Sequence, residues 1–211
     1  MNKRCASSRL IAVSALALLV LAPCQAQERG ASVETILMVR HGEKPADGLG
    51  QLTCQGLNRA LALPRVIEAK YGRLDAVFAP DPAQQKRDHG ALYDYVRPLA
   101  TIEPTAVYFG LPVHASIGFT DIARLKSALL ASNYQRATVL VGWEHTQAEH
   151  LARQLVAEHG GDPADVPKWS GDDFDSIYVL RIARHEGRVE VTFSVEREGL
   201  DGALTACPAA R

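Results

Sequence analysis

The chain has 211 residues, 47% of them hydrophobic, and its 23 basic and 24 acidic side chains give a formal net charge of −1. This balance excludes the strongly basic field of a nucleic-acid-binding protein and a polybasic membrane-binding patch. The length suits one domain with a substantial hydrophobic core.

Residues 1–26 have the pattern of a secretory signal peptide. Three basic side chains precede an apolar stretch over 10–22, which is shorter than the about 20 residues that a transmembrane helix needs. We expect cleavage after Ala26, which leaves a single domain over 27–211 in the periplasm or outside the cell. That domain has 20 basic and 24 acidic side chains, a net charge of −4. A proline precedes Cys24, unlike the small residue of a lipoprotein box, so a lipid anchor is the less favoured prediction.

Apolar runs alternate with helical patterns along the rest of the chain. Strands are predicted over 35–39, 76–79, 138–142, 176–182 and 189–195. Helices are predicted over 52–70, 122–130 and 146–159. The alternation predicts an α/β fold, a three-layer sandwich with a mostly parallel sheet and helices on both faces. The last two strands are separated by a short turn and should form an antiparallel hairpin at the C-terminal edge.

Two long segments, 80–95 and 161–175, lack a regular pattern and are rich in charged side chains. Loops of this length in a compact domain often form functional rims, but they can equally be solvated decoration. Two cysteines, Cys54 and Cys207, remain after the expected cleavage. In an oxidising compartment they are candidates for a disulfide that ties the C-terminal tail to the first helix, with two free thiols as the alternative.

Arg40 and His41 stand where the first predicted strand ends. In open α/β sheets ligands bind beyond the carboxyl ends of the strands, so both side chains should face a ligand. A guanidinium can bind phosphate through two parallel hydrogen bonds, and an imidazole is a nucleophile near neutral pH. His145 similarly follows the strand over 138–142 and opens a helix, whose N-terminus favours an anion. Together these residues indicate phosphoryl chemistry.

The run Arg40-His41-Gly42 resembles the signature of the histidine phosphatase superfamily, also called phosphoglycerate mutase-like. The segment from Leu52 to Ala60 is similar to the family's L-T-x-x-G-x-x-Q/R-A, and His145 resembles its second histidine. The resemblance implies that His41 is transiently phosphorylated, that Arg40 and His145 bind the phosphoryl group, and that no cofactor takes part.

The chain departs from the family at its second arginine, where Thr101 stands. Arg97 lies one helical turn earlier, and we predict that it replaces the missing phosphate ligand. Arg87, in the segment over 80–95, is the alternative. An arginine followed by proline at a helix start can also be a simple surface cap.

The proton donor to the leaving group is the least specified part of the pattern. The phosphatase branch has an aspartate directly after the second histidine, where this chain has Thr146. In the mutase-like branch the acid lies at a fixed spacing after an earlier motif, and the same spacing in this chain reaches Asp121. Asp121 is therefore the candidate acid, although this residue can simply cap the following helix. Glu144 is the alternative acid, and Glu103 and Asp81 stay open.

No metal is expected, because His145 and His150 are five residues apart and cannot share one helix face as a zinc motif requires. The sequence therefore predicts an exported phosphomonoesterase that forms a phosphohistidine on His41. Its partner would be a small phosphorylated substrate or phosphate, with no nucleic acid and no membrane span in the mature chain. The alternatives are a catalytically weak or inactive anion-binding module of the same fold and, less favoured, a phosphate mutase.

Overall fold

The structure is a computed structural model that describes residues 31–208. The predicted signal peptide, residues 1–26, lies outside this range. The strands are β1 (Ser32–Arg40), β2 (Ala76–Pro80), β3 (Gln85–Asp88), β4 (Ala91–Asp94), β5 (Val113–Ile117), β6 (Thr138–Trp143), β7 (Ser176–His185) and β8 (Arg188–Arg197). The helices of more than one turn are α1 (Cys54–Tyr71), α2 (Arg97–Phe109), α3 (Ile122–Leu129) and α4 (His145–Glu158).

Six of the strands form one mixed sheet in the order β5-β2-β6-β1-β7-β8. The first four of these are mutually parallel, whereas β7 is antiparallel to both β1 and β8. The predicted edge hairpin is thus confirmed as β7–β8. In the β1–β6 pair Arg40 is the register partner of Trp143, so the residues that follow these two strands emerge side by side.

Helices cover both faces of the sheet, because residues on successive positions of the central strands point to opposite sides. Leu37 and Val39 of β1 pack with buried residues of α1 and α2. Ile36 and Met38 pack with α3 and α4 on the other face. The predicted three-layer α/β sandwich is confirmed. None of the described helices is long and apolar enough to cross a membrane.

The segment over 80–95 contains regular structure that the sequence pattern does not predict. Strands β3 and β4 pair as a separate two-stranded hairpin, closed by His89 and Gly90, both with positive φ. Their sequences, QKRD and ALYD, have too few apolar residues to predict a strand. The edge strand β5 is also absent from the prediction, since His114 and Ser116 on it are exposed and polar.

The C-terminal tail is fastened to α1. Cys54 and Cys207 form a disulfide with their Cα atoms 4.5 Å apart, as the sequence predicts. One turn further along α1, Asn58 Nδ2 donates to the carbonyls of Leu204 and Ala206, each at 2.7 Å. The tail therefore lies along the first turn of the first helix.

Candidate active site

The carboxyl end of β1 carries two buried polar side chains, Arg40 and His41, each only 3% exposed. The backbone just beyond them is fixed by Gly42, whose N–H donates to Thr101 Oγ1 at 2.9 Å. A Cβ on Gly42 would lie 2.9 Å from the Gly56 carbonyl oxygen. Glycine is therefore required at position 42 for the strand end to approach α1 so closely.

Arg40 is held from the side by the segment over 161–175. Its Nη1 donates to the carbonyl oxygens of Gly171 and Asp173, the latter at 3.2 Å. The ring of Phe174 lies against the guanidinium, 3.9 Å from its central carbon to the ring centre. The buried Nε of Arg40 has no hydrogen-bond partner. Arg40 is thus fixed in place, and its Nε–H can still donate a hydrogen bond to a ligand.

The ring of His41 is oriented by its own backbone. Nδ1 lies 2.8 Å from the Gly42 carbonyl oxygen, which can only accept, so Nδ1 carries the proton and Nε2 carries the lone pair. Burial lowers the pKa of His41 well below its usual range, and the positive charges of Arg97, Arg40 and Lys86 lower it further. The imidazole is therefore neutral and nucleophilic at Nε2 near neutral pH.

Arg97 at the start of α2 is 2% exposed. Its Nη1 donates to Asp88 Oδ2 at 2.7 Å, and Asp88 also pairs with Lys44 at 2.8 Å. The buried Nε of Arg97 lacks a partner, as does the buried hydroxyl of Tyr95, whose ring centre lies 5.3 Å from the Arg97 guanidinium carbon. The sequence alternative, Arg87, lies on the exposed face of the β3–β4 hairpin, where its Nη1 donates to the Gly90 carbonyl. The geometry favours Arg97.

Glu144 and His145 follow β6 at the same sheet edge. Glu144 caps α4 by accepting from the Gln147 N–H at 3.0 Å. His145 Nδ1 lies 3.0 Å from Glu144 Oε1, so the imidazole and the carboxylate are in direct contact. Burial would raise the pKa of Glu144, but neighbouring His145 and Lys86 lower it to about 2. Glu144 is thus ionised and a poor proton donor near neutral pH.

Lys86 is a member of the site that the sequence analysis does not identify. Its ammonium lies 3.3 Å from Glu144 Oε1 and 5.2 and 5.1 Å from the ring centres of Tyr95 and Phe119. It also acts electrostatically on His41. We name these groups the strand-end cluster: Arg40, His41, Lys86, Tyr95, Arg97, Glu144 and His145.

Asp121 makes no hydrogen bond or ion pair with the described residues of this cluster. It is exposed, and its Oδ1 caps α3 by accepting from the Arg124 N–H at 3.1 Å. The side chain makes no other hydrogen bond or ion pair among the described residues, so its observed role is that of a helix cap. Over residues 31–208, no group of three or more His, Cys, Asp and Glu side chains is arranged to hold a metal ion.

A third buried arginine, Arg59 of α1, is surrounded by four carboxylates. It bonds to Glu43 at 2.7 Å, Asp175 at 3.2 Å, Glu198 at 2.7 Å and Asp201 at 3.1 Å. Burial raises the pKa of Glu198 to about 8 against the opposing charge of Arg59. We name this group the Arg59 cluster. It joins α1 to the loop after β1, to the segment that holds Arg40 and to the tail.

The fold that the sequence resemblance implies is confirmed, because the described residues match solved structures named as phosphatases and as a phosphoglycerate mutase. A structure from Nakamurella multipartitia named as a phosphohistidine phosphatase SixA matches with a TM-score of 0.53 and 17% identity over 80% of this chain and 97% of that one. A mycobacterial glucosyl-3-phosphoglycerate phosphatase solved with inorganic phosphate matches with a TM-score of 0.50 and 17% identity, over 76% and 95%. The phosphoglycerate mutase of Plasmodium falciparum matches with 0.51 and 14%, over 76% and 89%.

No protein-family model and no curated protein matches the chain. At these identities the similarity to the solved structures is one of fold. The roles of the individual side chains must therefore be argued from their own geometry.

Proposed function

We propose that this protein is a phosphomonoesterase that works through a phosphohistidine on Nε2 of His41. The observation that carries the proposal is a set of buried donors without hydrogen-bond partners around a neutral, buried imidazole: Arg40 Nε, Arg97 Nε and Tyr95 OH. Buried donors are normally paired, so three unpaired donors in one cluster indicate a ligand that accepts several hydrogen bonds. A phosphoryl group offers three such oxygens.

Cations outnumber carboxylates within the strand-end cluster. Arg40, Arg97 and Lys86 are its cations and Glu144 is its carboxylate, whereas Asp172 and Asp173 act on Arg40 from the segment over 161–175. A phosphate monoester near neutral pH carries a charge of about −1.5 to −2, which the cations of the cluster attract.

The chemistry then follows from the orientation of His41. Nε2 attacks phosphorus, an N–P bond forms, and the P–O bond to the leaving group breaks with both electrons going to that oxygen. Arg40, Arg97 and His145 bind the three remaining oxygens and stabilise the charge in the transition state. Water then attacks phosphorus, and the N–P bond breaks to return free His41 and inorganic phosphate.

The substrate is proposed only as a class, a small phosphate monoester. The names of the matching structures refer to a phosphohistidine, a glucosyl-phosphoglycerate and phosphoglycerate, which share the phosphoryl group and little else. The strand-end cluster contains the side chains that we propose bind this phosphoryl group.

Turnover of a generic aryl phosphate tests the proposal. The wild-type protein should hydrolyse it, and His41→Ala should lower kcat by at least about 10⁴-fold, the scale seen when a nucleophile is removed. His150→Ala is the matched control, because His150 is an exposed histidine on α4 and should leave the rate unchanged. An inactive wild-type protein, or an active His41→Ala variant, would overturn the proposal.

A specific observation also favours the anion-binding module as the second candidate. Glu144 is ionised and Asp121 is used as a helix cap, so neither sequence-predicted acid fits the role of proton donor. The module would bind inorganic phosphate, measured by calorimetry, yet hydrolyse no phosphate monoester.

We further propose that the protein is exported. The pattern over 1–26 and the disulfide between Cys54 and Cys207 support this, since disulfides persist in oxidising compartments. Expression of the full chain in a bacterium, followed by fractionation and N-terminal sequencing, should give a periplasmic or secreted protein that begins after Ala26. A cytoplasmic protein with residues 1–26 intact would contradict export.

A further inference from the structure

The β3–β4 hairpin presents two basic side chains to opposite sides. Lys86 and Asp88 share the face directed toward the strand-end cluster, whereas Arg87 between them is exposed. The register that pairs Lys86 with Tyr93 sets this alternation, since a shift of one residue would exchange Lys86 and Arg87. The hairpin thus brings one ammonium group to the cluster.

Lys86 lies on the exposed side of the cluster. Its side chain is 28% exposed, compared with 3% for His41 and 2% for Arg97. In an in-line displacement the leaving oxygen departs on the side opposite the nucleophile. Because His41 is buried, a leaving group opposite to it would point toward the more exposed part of the cluster, and Lys86 is the most exposed side chain of the cluster.

Lys86 is paired more loosely than the other partly exposed ammonium group. Lys44 is hydrogen-bonded to Asp88 at 2.8 Å, whereas Lys86 lies 3.3 Å from Glu144. Burial lowers the pKa of Lys86, and the charges of Arg97 and Lys44 lower it further, against the opposing effect of Glu144. A lysine of this kind can give up a proton during a reaction, as an arginine cannot.

We infer that Lys86 is the general acid of the reaction, donating a proton from Nζ to the leaving oxygen. The inference rests on the proposed phosphomonoesterase function. As the P–O bond breaks, the Nζ proton moves to the departing oxygen, which leaves as a neutral alcohol, and Lys86 becomes a neutral amine. In the second step Lys86 takes a proton from the attacking water, so the cycle ends with the ammonium restored. Glu144, 3.3 Å away, holds the ammonium in place.

Two substrates that differ in leaving group provide the test. A poor leaving group, such as an alkyl alcohol, needs the proton, whereas a dinitrophenolate leaves without one. Lys86→Met should lower kcat/KM by about 10²-fold or more for the alkyl phosphate and by less than about threefold for the dinitrophenyl phosphate. Lys86→Arg keeps the charge but has no transferable proton, so it should restore phosphate affinity and not alkyl phosphate turnover.

Arg87→Met is the matched control, because it removes a cation one residue away on the opposite face of the same strand, and it should behave as wild type on both substrates. An equal loss on both substrates, or full rescue by Lys86→Arg, would reduce Lys86 to an anion ligand and overturn the inference. No loss at all would also overturn it. A wild-type protein inactive on both substrates would instead overturn the proposed function, and the role of Lys86 with it.

Discussion

The Arg59 cluster and the strand-end cluster both contain buried arginines, and they differ in whether the arginine nitrogens have hydrogen-bond partners. Every nitrogen of Arg59 bonds to a carboxylate of the Arg59 cluster. Arg40 and Arg97 each keep a buried Nε without a partner. A saturated buried arginine can only hold the fold together, whereas an unsaturated one can bind a further acceptor. The comparison assigns stability to Arg59 and ligand binding to Arg40 and Arg97.

The largest expected effect on stability comes from Arg59→Met. The substitution leaves Glu43 and Glu198 with no cation among the described residues, and leaves Asp175 paired only with the exposed Arg197 at 3.1 Å, so the free energy of unfolding should fall by about 3–5 kcal/mol. Urea denaturation measures this, with Arg65→Met as the control, since Arg65 lies on the same helix and is 75% exposed. A loss no larger than that of Arg65→Met would contradict the stabilising role of Arg59.

The corresponding substitution in the strand-end cluster is Arg97→Ala, which should affect activity more than stability. Loss of a charge-assisted contact to the transferring phosphoryl group costs about 3–4 kcal/mol in the transition state, so kcat/KM should fall about 10²- to 10³-fold. Steady-state kinetics with an aryl phosphate measures this, with Arg87→Ala as the control. Near-normal activity in Arg97→Ala together with a large loss in Arg87→Ala would reverse the assignment.

The disulfide provides a further way to separate effects on stability from effects on activity. It links residues 153 positions apart, so replacing Cys54 and Cys207 by serine should lower the free energy of unfolding by about 2–4 kcal/mol. The strand-end cluster contains no residue of the tail, and kcat/KM should therefore stay at the wild-type value. A parallel loss of activity at a temperature where the variant remains folded would show that the tail and the site are coupled.

The smallest expected effect is a pH dependence caused by His41. Its pKa is lowered in the folded state from the ordinary 6.5, so the unfolded state binds a proton first as the pH falls. His41 thus favours unfolding progressively below about pH 6.5 and has no such effect above it. Relative to His41→Asn, the wild type should lose about 1–2 kcal/mol between about pH 7.5 and 5. Denaturation of both proteins across this range measures it, and parallel curves would mean that the pKa of His41 is the same in the folded and unfolded states.

Sequence patterns predict most of the fold because the central strands are apolar and the helices α1, α3 and α4 have a recurring apolar face, whereas α2 is not among the predicted helices. Arg40, His41 and His145 are predictable for the same reason, since each follows a recognisable strand. The register of Arg40 with Trp143 then brings the two strand ends together.

The hairpin and Lys86 could not be predicted in this way. In QKRD nothing distinguishes Lys86 from Arg87 until the pairing with Tyr93 is known. The His89-Gly90 turn, which allows positive φ at both central residues, is the one available signal for a two-residue hairpin. Arg59 likewise looks like an ordinary helix residue, because its four partners come from distant parts of the chain.

The phosphoenzyme itself tests the central claim most directly. Wild-type protein and His41→Ala are mixed with phosphorus-labelled aryl phosphate and quenched in base, in which the N–P bond of a phosphohistidine persists. Mass spectrometry of the digested protein then locates the label. We predict label on His41 in the wild type, lost on treatment with acid, and none in His41→Ala. Turnover by the wild type with no label on His41, or label on another residue, would contradict the account.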